Sequence, residues 1–182
     1  MAASTDLHRT FRTQVFIATS LDGFIARPDG ELDWLIQRGE RAGDTGYDAF
    51  IAEIDTIVMG RNTYQKTQTF GFWPYEGIPV RVLSTQLDAD DPNIIITRNT
   101  TELVRDLDEA GARNVYIDGG QLIQTFLRES LVDQVTITTA PVLLGSGLPL
   151  FGALDNDIEL RHLSTTTLAE GFVQTTYTVP QV

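Results

Sequence analysis

The chain has 182 residues, of which 42% are apolar and 21% charged, and carries a formal net charge of −12. That size and composition fit one globular domain able to bury roughly 70% of its unfolded surface. The absence of cysteine excludes disulfides, thiolate zinc sites and a cysteine nucleophile. An acidic surface repels a phosphate backbone, and no apolar run approaches the ~20 residues of a membrane helix, so neither nucleic acid nor a bilayer is an expected partner.

Residues 1–12, MAASTDLHRTFR, are polar and lack the apolar core of a signal peptide. They are expected to form a loose tail, leaving 13–182 as a single cytoplasmic domain. QVFIATSLDGFIA reads as a strand, a break at Asp22-Gly23 and a short extended continuation. Asp22 is read as stabilising that tight turn. Pro28-Asp29-Gly30 is a turn signal. YDAFIAEI predicts a helix, DTIVMG an apolar strand ending in glycine, and RNTYQ the start of a further helix.

The aromatic stretch FGFWPYEG, residues 70–77, is read foremost as the anchor of a long connection. Lining a pocket and packing a subunit interface are the alternatives. VRVLST and NIIIT predict two strands, uniformly apolar as in a buried parallel sheet. In RNTTELVRDLDEAGARN, Leu103, Val104, Leu107 and Ala110 share a helical face, Asn99 and Glu102 form a capping pair, and Gly111 suits the end.

VYIDGGQLIQTFL runs from a strand through paired glycines into an amphipathic helix with Leu122, Ile123, Phe126 and Leu127 on one face. Such glycines serve either an unusual backbone angle or close packing against the main chain. DQVTITTAPVL predicts a strand, and IELRHLSTTTL with FVQTTYTV a hairpin about Ala169-Glu170-Gly171. TTAPVLLGSGLPLF reads equally as a ligand loop and as a rigid crossover. The whole is a mostly parallel sheet with helices on both faces and antiparallel strands at its C-terminal edge.

Three strand ends lead into possible anion seats at helix starts: Gly60-Arg61-Asn62-Thr63, Thr97-Arg98-Asn99 and Gly119-Gly120-Gln121-Leu122. They fall at the carboxyl edge of the sheet, where open α/β sheets bind ligands. Lys66 is the one lysine, so any such site rests on arginines and backbone amides. No G-x-G-x-x-G follows a strand and there is no P-loop motif, so a bound nucleotide is not held in the Rossmann manner. His8, in the tail, and His162, on the edge hairpin, are poor general acids.

IATSLDGFIA, DTIVMGRNTY, VLST, VYIDGGQLIQTFL and LVDQVTITTAPVLLGSGLPLF, in this order and spacing, resemble the dihydrofolate reductase-like superfamily. The nearer likeness is to its riboflavin-biosynthesis reductase branch, over residues 14–179. The resemblance implies a three-layer α/β/α fold and an NADPH-dependent oxidoreductase. It assigns Gly119, Gly120, Gln121 and Leu122 to the cofactor, with the glycines admitting it to the main chain. Gly60, Arg61, Asn62 and Thr63 become a second phosphate turn. Ser84, Thr85 and Arg98 fall at the adenosine 2′-phosphate, which a guanidinium beside hydroxyls suits, and Thr19 lies near the nicotinamide.

On the substrate side the resemblance puts GELDWL beside the first strand, on a loop over the nicotinamide. Asp33 becomes the candidate to bind or protonate a heterocycle, and Trp34 to stack on it or shape the pocket. The bland readings are a capping Asp33 and a core Trp34. Asp118 is another group that can face a substrate. No metal is implied.

The expected reaction is hydride transfer to a C=N or C=O bond of a small heterocyclic or sugar-like molecule, such as a riboflavin precursor or a pterin. The alternatives are a true dihydrofolate reductase, whose acidic residue after a tryptophan is not matched here, and a non-catalytic NADP-binding module. A zinc deaminase partner domain with its P-C-x-x-C signature is excluded by the lack of cysteine. A homodimer is implied by the resemblance alone.

Overall fold

The computed structural model describes residues 9–180. Its strands are β1 (Arg12–Ser20), β2 (Phe24–Ala26), β3 (Thr56–Gly60), β4 (Val80–Leu83) and β5 (Ile94–Thr97) in the first part of the chain. β6 (Asn114–Asp118), β7 (Gln134–Ala140), β8 (Leu148–Pro149), β9 (Arg161–Thr167) and β10 (Val173–Thr178) follow. The helices are α1 (Asp33–Ala42), α2 (Tyr47–Ala52), α3 (Arg61–Thr67), α4 (Thr100–Glu109) and α5 (Gly120–Arg128).

Eight strands form one sheet in the order β5-β4-β3-β6-β1-β7-β10-β9. From β5 to β7 all pairings are parallel, and β10 and β9 close the sheet antiparallel. β2 and β8 make a separate antiparallel ribbon. Parallel strands need crossovers, and the helices supplying them cover both faces.

One face carries Val15, Val58, Val115, Ile117 and Val135 against Leu103 and Leu107 of α4 and Ile123 and Phe126 of α5. The other carries Ile57, Met59, Val80, Val82 and Tyr116, with Tyr64 of α3 and the partly buried Phe16, Tyr47 and Phe50. Burying a side chain such as Phe126 contributes about 1.5–3 kcal/mol, so these two layers dominate the stability. A smaller cluster joins Trp34 and Ala42 of α1 to Ala140 and Phe172.

Four expectations change. Residues 9–12 are docked and not loose: Arg9 forks onto Asp133, Phe11 enters the core, and Arg12 already pairs with Asn114. His8 lies outside the described residues. GELDWL does not remain a loop, because Asp33 opens α1, whose buried residues Trp34 and Ala42 anchor it beside Phe172. β5 is the edge of the sheet, so Ile95 is 52% exposed and the strand is not buried throughout. Ala110 is the exposed C-cap of α4, and Ala112 takes the buried place expected of it.

The Asn99–Glu102 pair caps α4 as its spacing implies: the Asn99 side chain accepts from the Glu102 N–H at 2.8 Å. Among the described residues no helix is long and apolar enough to cross a membrane.

Candidate functional site at the carboxyl rim

The strand register sets the site. Gly60 pairs with Leu83, Leu83 with Thr97, and Met59 with Asp118. The residues that follow these positions, Arg61, Ser84, Arg98 and Gly119, therefore emerge at one level along the rim. The sequence-predicted cofactor residues at four strand ends are brought together in this way.

The rim offers main-chain donors. Neither α3, which starts after Gly60, nor α5, which starts after Gly119, has a side-chain cap. The first N–H groups of a helix have no intrahelical acceptor, so both starts suit an anion. The third expected seat does not: the α4 start is closed by its own Asn99, and Arg98 turns instead toward the 84–87 loop. There its guanidinium donates to Ser84 O at 3.0 Å and Leu87 O at 2.7 Å. Ser84 Oγ holds the same loop by accepting from the N–H groups of Gln86 and Leu87, while Thr85 stays exposed. Arg61 donates to Gln86 Oε1, so two guanidinium groups flank one loop. Thr97 Oγ1, buried at the end of β5, has no hydrogen-bond partner among the described residues. Uncapped amides and two arginines match the donor set that a phosphorylated dinucleotide requires.

The paired glycines have both kinds of reason to be glycine. Gly119 has φ +100°, and a Cβ there would strike Thr63 Oγ1 of α3. A Cβ on Gly120 would come within 2.8 Å of Ile25 Cδ1 and 3.1 Å of Pro149 O. The close neighbours are thus protein groups: the glycines seat the β6–α5 turn between α3 and the β2–β8 ribbon. Both reasons read from the sequence, an unusual backbone angle at Gly119 and close packing against the main chain, are present here.

The ribbon is fixed by Asp22. Ser20 Oγ donates to its carboxylate at 2.6 Å, and the N–H groups of Leu144 and Gly145 donate at 3.1 and 2.7 Å. The Ser20 bond, reinforced by the two amides, holds the Asp22 carboxyl below its ordinary value. Asp22 therefore does more than shape its own turn, since it ties that turn to the segment between β7 and β8.

A mainly apolar cleft of about 240 Å³ lies on the α1–α2 side of the sheet. Phe16 and Ala18 of β1, Leu35 of α1, Tyr47 of α2 and Thr138 of β7 line it. Alternation along β1 puts Thr19 with Val15 and Ile17 on the opposite face, where it is buried. Its predecessor Ala18 meets the cleft instead. Sequence reasoning missed Phe16, Ala18, Leu35 and Tyr47 as lining residues, because apolar and small side chains in strands and helices read as ordinary core.

The two candidate acids differ. Asp33 sits in the first turn of α1 in a two-pronged ion pair with Arg27, at 2.6 and 3.0 Å. The Arg27 hydrogen bonds hold its carboxyl below the ordinary value, which does not suit a proton donor. Trp34, 1% exposed, belongs to the small cluster and is not free to stack on a ligand; its Nε1 has no hydrogen-bond partner among the described residues. Asp118 is recessed at the end of β6, where Tyr75 Oη donates to it at 3.3 Å. Burial raises its pKa, opposed by bonds from Tyr75, the Gly119 N–H and Tyr116.

Comparison with known proteins agrees with this fold. The chain is 36% identical over 158 residues to the uncharacterized protein YwjB of Bacillus subtilis (strain 168), covering 85% of this chain and 90% of that one. A solved protein of Shewanella sp. PV-4, provisionally assigned to riboflavin biosynthesis, superposes with a TM-score of 0.86 at 38% identity, over 93% of this chain and 99% of the other. Dihydrofolate reductase from Enterococcus faecalis, solved with NADP(H) and RAB-propyl, superposes with a TM-score of 0.69 over 94% of this chain and 97% of its own. At 16% identity that last likeness is one of fold, and it establishes the dihydrofolate reductase-like α/β arrangement. The sequence profile of the RibD C-terminal domain matches residues 13–174, and the chain belongs to that family.

Proposed function

We propose that this chain is an NADPH-dependent reductase that transfers hydride to a C=N or C=O bond of a small heterocyclic or sugar-like substrate, of the riboflavin-precursor or pterin kind. One observation carries the reading: two uncapped helix starts and two arginines share a rim with a mainly apolar cleft. Family membership supports it. Bound there, the reduced nicotinamide supplies the hydride, as cofactors generally carry the difficult chemistry. The chain's own residues bind, orient and keep the site dry. The main-chain groups of Gly60 to Thr63 and Gly119 to Leu122 would hold the phosphates. Arg98 and Arg61, beside Ser84 and Thr85, would hold the 2′-phosphate.

Arg98→Ala tests this directly. Losing a charge-assisted contact of about 1.5–3 kcal/mol should weaken NADPH roughly ten- to hundredfold and leave NADH nearly unchanged. Equal losses for both cofactors, measured by calorimetric titration, would remove the assignment. The true dihydrofolate reductase alternative is weakened by the commitment of Asp33 to Arg27. A non-catalytic NADP-binding module would bind NADPH and oxidise none of it.

We also propose a homodimer. All seven residues of β9 are exposed although it ends an eight-stranded sheet, and Leu160 and Leu163 stand 40% and 55% exposed. Uncovered strand edges favour pairing with another chain. Light scattering should give a mass of two chains, and Leu163→Arg should return one.

A further inference from the structure

We propose that Gln174 of β10 is a positioning residue for the substrate: it pins the α1–α2 loop, residues 43–46, at the wall of the cleft, and so fixes the Thr45 and Tyr47 hydroxyls as the groups that recognise an uncharged ring. The inference rests on the reductase reading and extends it to how the ring is held.

Counting the polar groups of the cleft leads to it. Among the described residues no charged side chain lines it, and its hydroxyl-bearing residues are Thr45, Tyr47 and Thr138. Thr138 Oγ1 is already engaged, because it accepts from Gln174 Nε2 at 2.9 Å. The hydroxyls of Thr45 and Tyr47 have no hydrogen-bond partner among the described residues. A mainly apolar pocket orients its occupant through a few placed polar groups. Here the two open ones sit together, in the loop and at the first residue of α2.

Tyr47 suits the task. Its ring meets the edge of Phe16 with centres 5.7 Å apart and lies 6.3 Å from Phe50. Burial pushes its hydroxyl up to about 12, so the phenol keeps its hydrogen and can donate it to a carbonyl oxygen or a ring nitrogen. A charged ring would lie unpaired among apolar side chains, at a heavy desolvation cost. The cleft therefore selects a neutral one.

The loop that carries these hydroxyls has little else to hold it. Gly43 and Gly46 adopt φ of +77° and +75°, and a Cβ on either would meet nothing within 4 Å. α2 has no buried residue. The Asp44 carboxylate accepts from the Gly46 N–H at 2.7 Å, a bond internal to the loop. The tie to the sheet is Gln174, whose Nε2 donates to the main-chain oxygen of Thr45 at 2.9 Å as well as to Thr138 Oγ1. Both hydrogens of its amide are thereby used.

Gln174 lies opposite Thr138 in the β7–β10 register, so the latch is mounted on paired strands. It is not among the residues that line the cleft. Its influence on a substrate passes through the loop.

The latch is tested first without cofactor or substrate. Gln174→Leu keeps the size and removes the donor, with thermal melting to confirm the fold. Nitrogen relaxation should show the amides of residues 43–46 gaining fast motion. The Phe50 N–H, bonded to Gly46 O, should exchange with deuterium about fivefold faster, the scale of one neutral hydrogen bond. Amides of β10 should be unchanged. At pH 8, Gln174→Glu, which has no N–H to give, should match Gln174→Leu. A loop as ordered in both variants as in the wild type would overturn the proposal.

The second stage uses NADPH with 7,8-dihydropterin as the C=N probe. Tyr47→Phe and Gln174→Leu should each raise KM about five- to tenfold, while NADPH affinity stays within about twofold. Because Gln174 acts through the loop, adding Gln174→Leu to Tyr47→Phe should raise KM by less than it does in the wild type. A KM unmoved by either change, effects that multiply in the double variant, or a wild type that binds NADPH and takes up no dihydropterin would each overturn the proposal. A loop loosened by Gln174→Leu in a chain that binds no NADPH would instead overturn the reductase reading and support the latch.

Discussion

The start of α1 and the end of β6 each carry an aspartate, and the two have opposite chemistry. Asp33 is exposed to water and gripped by a guanidinium. Asp118 is recessed among phenols, with no cation paired to it among the described residues. The hydrogen bonds from Arg27, helped by its charge, keep the first ionised, while loss of solvation favours the proton on the second. The lesson is that an acid's role follows from its neighbours more than from its place in a motif. The turns holding the two residues differ as well, one open and one tightly packed.

The largest expected effect separates those turns. Gly119→Ala forces a side chain into a region of φ that disfavours it and onto Thr63 of α3. Strain and overpacking together should destabilise by about 2–6 kcal/mol, read as a fall in the urea midpoint. Gly30→Ala, in the turn before α1, also has positive φ but meets nothing within 4 Å. It should cost only about 1–2 kcal/mol. Equal losses would mean that the β6–α5 turn is no more tightly held than its counterpart.

A smaller effect concerns pH. The Asp118 pKa is raised on folding, so its contribution is complete below the unfolded value and is lost as pH rises through the folded value. The Asp33 pKa is lowered, so its contribution is present above the unfolded value and is lost as pH falls through the folded one. Asp118→Asn should therefore gain on the wild type as pH rises from about 4 to 8. Asp33→Asn should show its full loss above about pH 4 and converge on the wild type as the pH falls through the lowered folded value. Chemical denaturation at several pH values checks both signs, and parallel curves for the two variants would erase the contrast.

Much of the fold was legible because local and tertiary signals agree. Apolar runs ending in glycine became parallel strands, Asn99 and Glu102 marked the start of α4, and the two Thr-rich segments formed the terminal hairpin. Helix α1 was not legible: charged residues and Gly39 interrupt its apolar pattern, and its anchor Phe172 lies far along the chain. β8 is two residues long and exists through its pairing with β2.

The site divides in the same way. The rim followed from glycines and arginines placed just after strands. Its acid cluster joins Tyr75 to Asp118 across 43 positions of sequence, a contact that no local pattern announces. Asp33 stood out because it neighbours a tryptophan, yet Arg27, six positions earlier, decides its state.

The docking of residues 9–11 has a practical side. Asp133, at the entrance to β7, receives the Arg9 guanidinium and the Thr13 N–H, while Phe11 fills the core between them. Affinity tags and fusion partners should therefore be joined through a spacer ending before Arg9. A shortened gene that begins at β1 would discard a clasp on the central strand and expose the apolar seat of Phe11.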